Sequence, residues 1–291
     1  MKSFFGADID QTSHFKARGL QWACRLAKGT HCTQSAAQHG DLKVTKTVLI
    51  SGGSRGIGRA TAILMAQKGW QVAFTFRAGH AASEDTRKAI EAVGGKALVL
   101  QGDTTNEDDV IAAFDETIRV FGGIDAVVVN AGIVAPPLPL SDMSIDRLQK
   151  VFDTNVMGAF LFAREAARRL PSHKTRDDGS IVLVSSVAAR LGSPNEYVDY
   201  AASKGAIDTL TLGLSKELAS DRVRVNAIRP GLIETDIHAS GGQPDRAQRL
   251  GQTVPMGRPG TAQEIAEAIA WLCGPESSYC TGSIMDVTGG R

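Results

Sequence analysis

From residue 46 onward the chain alternates short apolar runs with amphipathic stretches, and few architectures can bury that pattern. Strands are expected over 47–51, 71–76, 96–101, 126–129, 180–185, 224–228 and 283–287. Helices are expected between them, over 59–68, 82–93, 108–121, 148–170, 200–219 and 262–272. Runs such as TVLIS and AVVV are apolar rather than alternating, so both faces of each strand are covered. Strands joined through helices and covered on both sides make a parallel sheet with helices on either face. The expected fold is therefore α/β: a single doubly wound domain over 45–291, built on seven parallel strands, with no second domain boundary.

Composition excludes several classes. Hydrophobic content of 43% and charged content of 22% are ordinary for a globular protein. A net charge of +1 gives no polyelectrolyte argument for nucleic acid or an anionic membrane. No apolar run approaches the roughly 20 residues of a membrane span. The four cysteines, Cys24, Cys32, Cys273 and Cys280, contain no Cys-x-x-Cys pair and read as reduced thiols of a cytoplasmic protein. Cys24 and Cys32 with His14, His31 and His39 match no zinc spacing, so no metal is expected.

Residues 1–44 differ from the rest. Between Gln11 and Gly40 there is no acidic residue, while Lys16, Arg18, Arg25 and Lys28 are basic. Phe15, Leu20, Trp22, Ala23 and Leu26 could line one weak amphipathic helix. Three readings stay open: a flexible or loosely docked extension, upstream sequence from a misassigned start, or a targeting peptide.

Ser51-Gly52-Gly53-Ser54-Arg55-Gly56-Ile57-Gly58 joins the first strand to the first helix. Glycines there let the backbone approach a pyrophosphate, which the helix N-terminus then faces. The spacing is G-x-x-x-G-x-G, not the common G-x-G-x-x-G. An NAD enzyme usually places an acid at the end of the second strand for the ribose 2′-hydroxyl. Here Val72-Ala73-Phe74-Thr75-Phe76-Arg77 has none, and Arg77 with Arg55 suits a 2′-phosphate, so NADP(H) is expected over NAD(H). Asp103, at the end of the third strand, is either an acceptor for an adenine amino group or a turn residue. Asn130-Ala131-Gly132 ends the fourth strand, where small residues let the chain pass close to a cofactor.

Tyr200-Ala201-Ala202-Ser203-Lys204 places a phenol and an ammonium one helical turn apart, on one face. A cation there is expected to lower the phenol from its reference near about 10. Such a group can exchange a proton with a carbonyl or alcohol oxygen.

Together these residues resemble the short-chain dehydrogenase/reductase family. The matching segments are SGGSRGIG at 51–58, Asp103, NAG at 130–132, Asn155, Ser185-Ser186, YAASK at 200–204 and RPG at 229–231. Within the family the chain is similar to the glucose-1-dehydrogenase-like and 3-oxoacyl-carrier-protein-reductase-like groups. The resemblance implies a Rossmann sheet, usually in a homotetramer, and small alanines and glycines on the helices near Asn155 and Tyr200 could serve its interfaces. It implies cofactor contacts from Gly52, Ser54, Arg55, Gly56, Ile57, Gly58, Arg77, Asp103, Thr104, Asn130, Ala131, Gly132, Tyr200, Lys204, Pro230, Gly231, Ile233 and Thr235. Ile233 would bond the carboxamide through its backbone and Thr235 would touch the pyrophosphate. The implied catalytic set is Asn155, Ser186, Tyr200 and Lys204, with Asn155 kinking the long helix and holding a water that links Lys204 to solvent. Ser51 stands where the family usually has Thr, and the segment from Ser186 to Tyr200 is one residue longer than usual, so Ser185 competes with Ser186. Ser186 is preferred because it directly precedes Val187-Ala188.

The implied activity is hydride transfer between nicotinamide and a carbonyl or secondary alcohol on a sugar-like or small ketone substrate. A 3-oxoacyl-thioester reductase is the alternative; it would need a basic docking patch, and Arg164, Arg168 and Arg169, with Glu165 between them, need not form one. A nucleotide-binding regulator without turnover is the rival outside enzymes. The stretch 236–259, rich in Gly, Pro and polar residues, reads as a mobile substrate lid, with Tyr197, Arg190 and His238 as candidates to shape the pocket.

Overall fold

Successive residues of a strand point to opposite sides of a sheet, and here both sides are sealed. Val48 and Ile50 enter one buried cluster with Phe74, Val128 and Val182. Leu49 between them enters the other, with Ala73, Val127, Ile181 and Leu183. The computed structural model describes residues 45–170 and 178–291. The extension 1–44, with Cys24, Cys32 and the three N-terminal histidines, lies outside the described residues; Cys273 and Cys280 are free thiols.

The elements follow in order: β1 (Thr47–Ile50), α1 (Gly56–Gln67), β2 (Gln71–Phe76), α2 (His80–Ala92), β3 (Ala97–Gln101), α3 (Glu107–Phe121), β4 (Ala126–Val129), α4 (Ile145–Phe152), α5 (Gly158–Arg169) and β5 (Gly179–Val184). Then come α6 (Ala188–Leu191), α7 (Val198–Glu217), β6 (Val223–Pro230), β7 (Ile233–Glu234), α8 (Ile237–Ser240), α9 (Arg246–Gly251), β8 (Gly260–Thr261), α10 (Ala262–Cys273) and β9 (Ile284–Val287). Seven strands form one sheet in the order β3-β2-β1-β4-β5-β6-β9, and every pairing is parallel. Residues of α1, α2 and α10 fill the first cluster; α3, α5 and α7 fill the second. The order reverses between β1 and β4, and ligands of open α/β sheets bind at such a crevice, beyond the strand C-termini.

One expectation needs correction. The helix expected over 148–170 is not continuous: α4 and α5 are separated by a π-helical turn, Asp153–Met157, with Asn155 inside it. Such a turn carries one surplus residue. It is held by the Asn155 side chain and by the close seating of Gly158, where a Cβ would stand 2.9 Å from Thr104 Oγ1. The stretch 236–259, expected as a substrate lid, carries secondary structure of its own. It contains α8 and α9, and Ala247 and Val254 bury their side chains.

Candidate active site

The β1–α1 loop is a backbone device. Gly52 and Gly56 take left-handed conformations, with φ of 71° and 54°. At Gly58 a Cβ would lie 2.2 Å from the Gly52 carbonyl oxygen and 2.6 Å from Asn130 Nδ2, so no side chain fits. Asn130 Nδ2 donates to the carbonyls of Ser51 and Gly52, while the Ser51 hydroxyl accepts from the backbone N–H of Asn130 and Ala131. The end of β4 thus splints the loop.

A contrast between helices shows what this loop can hold. The first turn of α3 carries Glu107, Asp108 and Asp109, and Asn106 caps it. The first turn of α1 carries no acid, and its N-cap Arg55 makes no side-chain capping bond. The positive end of α1 is left uncompensated by the protein, which suits an anion. Arg55 reaches toward the β2–α2 turn, its Nη2 3.8 Å from where a Cβ on Gly79 would sit. Arg77 follows β2 and stands 3.6 Å from Asp103. Asp103 also accepts from the Thr105 backbone and hydroxyl, both at 2.9 Å, so it is a turn residue and an ion-pair partner at once. Burial raises its carboxyl, but these hydrogen bonds and Arg77 outweigh that and hold it below the usual range. A polar cavity of about 300 Å³ opens beside Arg77 and Thr105 against α4. Thr104 is buried against Gly158, and Ser54 is buried with its carbonyl accepting from Thr86. These features fit a dinucleotide phosphate.

A second cavity, of about 170 Å³, lies over the C-terminal ends of β4, β5 and β6. It gathers Ile57, Asn130, Gly132, Ser186, Tyr200, Lys204, Pro230, Gly231, Ile233 and Thr235 from distant parts of the chain. Thr235 comes within 3.5 Å of a Cβ position on Gly56, which joins this cavity to the glycine loop. Tyr200 and Lys204 sit in the first two turns of α7. Lys204 Nζ donates to the Val184 carbonyl at 2.8 Å and lies 5.7 Å from the Tyr200 ring centre.

The two serines have different partners. Ser185 donates its hydroxyl to the Lys204 carbonyl at 3.1 Å. Ser186 accepts from the Ala188 N–H and hydrogen-bonds Tyr200. Asn155 spends both amide hydrogens, on the Ile133 carbonyl and the Ser203 hydroxyl, and accepts from the Ile133 N–H. Its side chain braces the end of β4 against α7, and its spent amide hydrogens leave only oxygen acceptors to meet a water beside Lys204. A Cβ on Gly132 would stand 3.3 Å from Asn155 Oδ1 and 3.4 Å from Lys204 Nζ.

The electrostatics reverse another expectation. Burial pushes the Tyr200 phenol above its ordinary value, and the Ser186 hydroxyl pulls it part of the way back. The Tyr–Lys spacing alone implies a lowered phenol. The same burial lowers the Lys204 ammonium to about 8, with Asp208 opposing the shift, so the cation weakens where its field is needed.

Tyr197 and His238 line the cavity, as the sequence suggested; Arg190 does not and instead pairs with Asp286. His238 Nε2 lies 2.9 Å from the Ile233 carbonyl, tying α8 to the strand end. Arg246, on α9, also lines the cavity and had no signal in the sequence, being one arginine among several in a polar stretch.

A family model described as enoyl-(acyl carrier protein) reductase matches residues 52–291. An uncharacterized oxidoreductase of Escherichia coli strain K12, YgfF, is 49% identical over 84% of this chain and 98% of its own length. Glucose 1-dehydrogenase of Gluconobacter oxydans is 36% identical over 87% of this chain and 94% of its own. Among solved structures, 3-ketoacyl-(acyl-carrier-protein) reductase from Brucella melitensis, complexed with NADH, aligns with a TM-score of 0.78 at 31% identity, covering 84% of this chain and 98% of that one.

Proposed function

The chain belongs to the short-chain dehydrogenase/reductase family of oxidoreductases acting on CH–OH groups, and from that premise we propose that it interconverts a small or sugar-like ketone and its secondary alcohol with NADP(H). The observation that carries the reading is the convergence of Ser186, Tyr200 and Lys204 in one cavity continuous with the glycine loop.

When bound, the cofactor supplies or accepts the hydride. Tyr200 gives its proton to the carbonyl oxygen in reduction and takes it from the alcohol in oxidation. A phenol raised by burial stays protonated, which favours the donor role and hence reduction. Ser186 donates to the same oxygen and offsets the charge that develops there. Lys204 would reach the nicotinamide ribose, and Asn155 acts as a positioning residue. Arg55 and Arg77 would hold the 2′-phosphate, with Asp103 and Thr104 shaping the adenosine end.

The thioester-reductase reading loses its docking patch. Arg168 and Arg169 both bond Glu165, Arg169 also pairs with Asp115, and Arg164 pairs with Glu107. A non-catalytic regulator would have no need to bring Ser186 onto Tyr200. We place the protein in the cytoplasm; among the described residues no helix is long and apolar enough to cross a membrane. A homotetramer is the proposed assembly. Exposed apolar side chains, among them Phe152, Met157, Phe160, Leu212, Met256, Trp271 and Tyr279, would supply its interfaces.

The test is NADPH oxidation with a panel of ketones, sugars and oxoacyl thioesters, alongside Tyr200→Phe. The variant is expected to lose roughly a thousandfold or more in kcat while binding NADPH as before. Retained turnover would remove Tyr200 from the mechanism.

A further inference from the structure

The segment between Ser186 and Tyr200 is longer than the family pattern, and the turn within it is strained. Ser193 and Asn195 hold φ of 45° and 62°, a left-handed conformation costly for residues with a Cβ. The strain is sustained by bonds to the next residue: the Glu196 carbonyl accepts from the Leu138 N–H at 3.0 Å and from Arg147 Nη2 at 3.5 Å. Arg147 is itself fixed by the buried Asp199. The turn therefore holds Tyr197 in the cavity wall from a rigid base and sets Glu196 against Arg246 at its rim.

Arg246 meets them there. Its Nη2 donates to Glu196 Oε2 at 2.6 Å and its Nη1 to Glu196 Oε1 at 3.2 Å, a two-bond fork. Nη1 also donates to Gln243 at 3.0 Å, and the guanidinium lies 5.0 Å from the Tyr197 ring centre. The Arg246 side chain is only 12% exposed, whereas that of Glu196 is 40% exposed. Arg246, Tyr197, Ser186 and Tyr200 all line one cavity.

We propose that Arg246 is a specificity-determining residue which, with Glu196 and Tyr197, selects an uncharged ketone bearing a hydroxyl group on the side remote from the reacting carbon. The inference rests on Tyr200 and Ser186 marking the reacting end of the cavity. The fork carries no net charge, so it offers a carboxylate substrate little attraction and sets Glu196 against it. It does offer both donors and carboxylate lone pairs. A hydroxyl can accept from one and donate to the other, whereas a methyl of similar size strands both. Hydrogen bonding to Arg246 keeps Glu196 well below the usual carboxylate range, so the pair stays ionised through neutral pH. Arg291 reaches the same cavity and Arg249 pairs with Asp245, so Glu196 is the one acid seated against the Arg246 fork among the described residues.

The experiment measures kcat/KM, with saturating NADPH or NADH, for 4-hydroxycyclohexanone, 4-methylcyclohexanone and 4-oxocyclohexanecarboxylate. Wild type is compared with Arg246→Lys, Arg246→Gln and Glu196→Gln. Ratios between substrates do not depend on how much of a variant folds. Wild type is expected to prefer the hydroxyl over the methyl compound by about 30-fold, on the scale of a partly open hydrogen-bonding site. Arg246→Gln should bring that ratio within about 3-fold of unity, with Arg246→Lys between. Glu196→Gln should leave Arg246 without its counter-charge, beside Arg291, and raise the carboxylate-to-hydroxyl ratio by more than about tenfold. A wild-type hydroxyl-to-methyl ratio near one, or a ratio that Arg246→Gln leaves unchanged, overturns the inference while ketone reduction stands. No turnover of any of the three ketones overturns both.

Discussion

The cofactor end and the substrate end of the crevice are built in different ways. Around the glycine loop the site is made of backbone: left-handed glycines, a helix terminus without an acid, and a side chain, Asn130, that bonds only main-chain carbonyls. Across the crevice the wall is made of side chains on two short helices, tied by the Glu196–Arg246 fork and the His238–Ile233 bond. A backbone site tolerates few sequences, since a Cβ at Gly58 has nowhere to go. A side-chain wall can be rewritten residue by residue. Selectivity for substrate can therefore change while the cofactor site stays as it is.

Mutations at the two ends of the crevice should therefore differ in kind and in size. The largest effect is expected from Gly58→Ala, which forces a methyl into the Gly52 carbonyl. It should weaken NADPH binding more than about 100-fold and cost about 1–3 kcal/mol of stability, measured by cofactor titration and chemical unfolding. Wild-type affinity would mean that the loop moves freely and is not a fixed cradle. A smaller, selective effect is expected from Arg55→Ala and Arg77→Ala. Each should weaken NADPH by about tenfold, the loss of one charge-assisted contact, and leave NADH within about twofold. Equal losses for both cofactors would remove the 2′-phosphate from the argument.

The smallest effect lies at the seam between the two regions. Lys204 falls from 10.5 in the unfolded chain to about 8 in the folded one, mainly through burial. Between those values the unfolded state binds more protons, so stability rises with pH across the window, and below about pH 8 the folded state carries the full cost of a buried charge. In cofactor-free enzyme Lys204→Met should raise the melting temperature by a few degrees at pH 7, and the gain should vanish as pH approaches 10.5. A destabilised variant at pH 7 would show that the bond to the Val184 carbonyl outweighs the burial of the charge.

Strands such as β1, β4 and β5 were legible as apolar runs, while β6 and β9, which carry Arg224, Asn226 and Asp286, were legible from the apolar residues between those polar ones. The glycine loop and the Tyr200–Lys204 pair were legible because each needs fixed residue types at fixed spacing. What stayed hidden depends on three-dimensional proximity. Ser185 and Ser186 are chemically identical neighbours, and only the packing of α7 gives one to the Lys204 carbonyl and the other to Tyr200. The raised phenol was hidden for the same reason, since spacing reports the cation but not the burial that overrides it. Nothing in Asp-Thr-Asn-Val-Met marks a π turn, because the cause lies in partners at Ile133, Ser203 and Thr104. Glu165 among the arginines of α5 already spoke against a basic patch in the sequence, while their partners Asp115 and Glu107 are distant in sequence and stayed hidden.

The π turn between α4 and α5 has a consequence for the outside of the molecule as well. In an unbroken α-helix, residues five apart point about 140° away from each other. The i→i+5 pattern of the turn lessens that divergence for Phe152 and Met157, and both are exposed, as is Phe160 three residues on. The surplus residue sets the rotational phase of two surfaces at once, directing Asn155 inward to Ser203 and leaving three apolar side chains outward. Deleting it would turn all of α5 by about 100°, scrambling the inner bracing and the outer side chains together. The interior of the crevice and the face the protein shows to its surroundings are thus geared to each other and cannot be re-indexed separately.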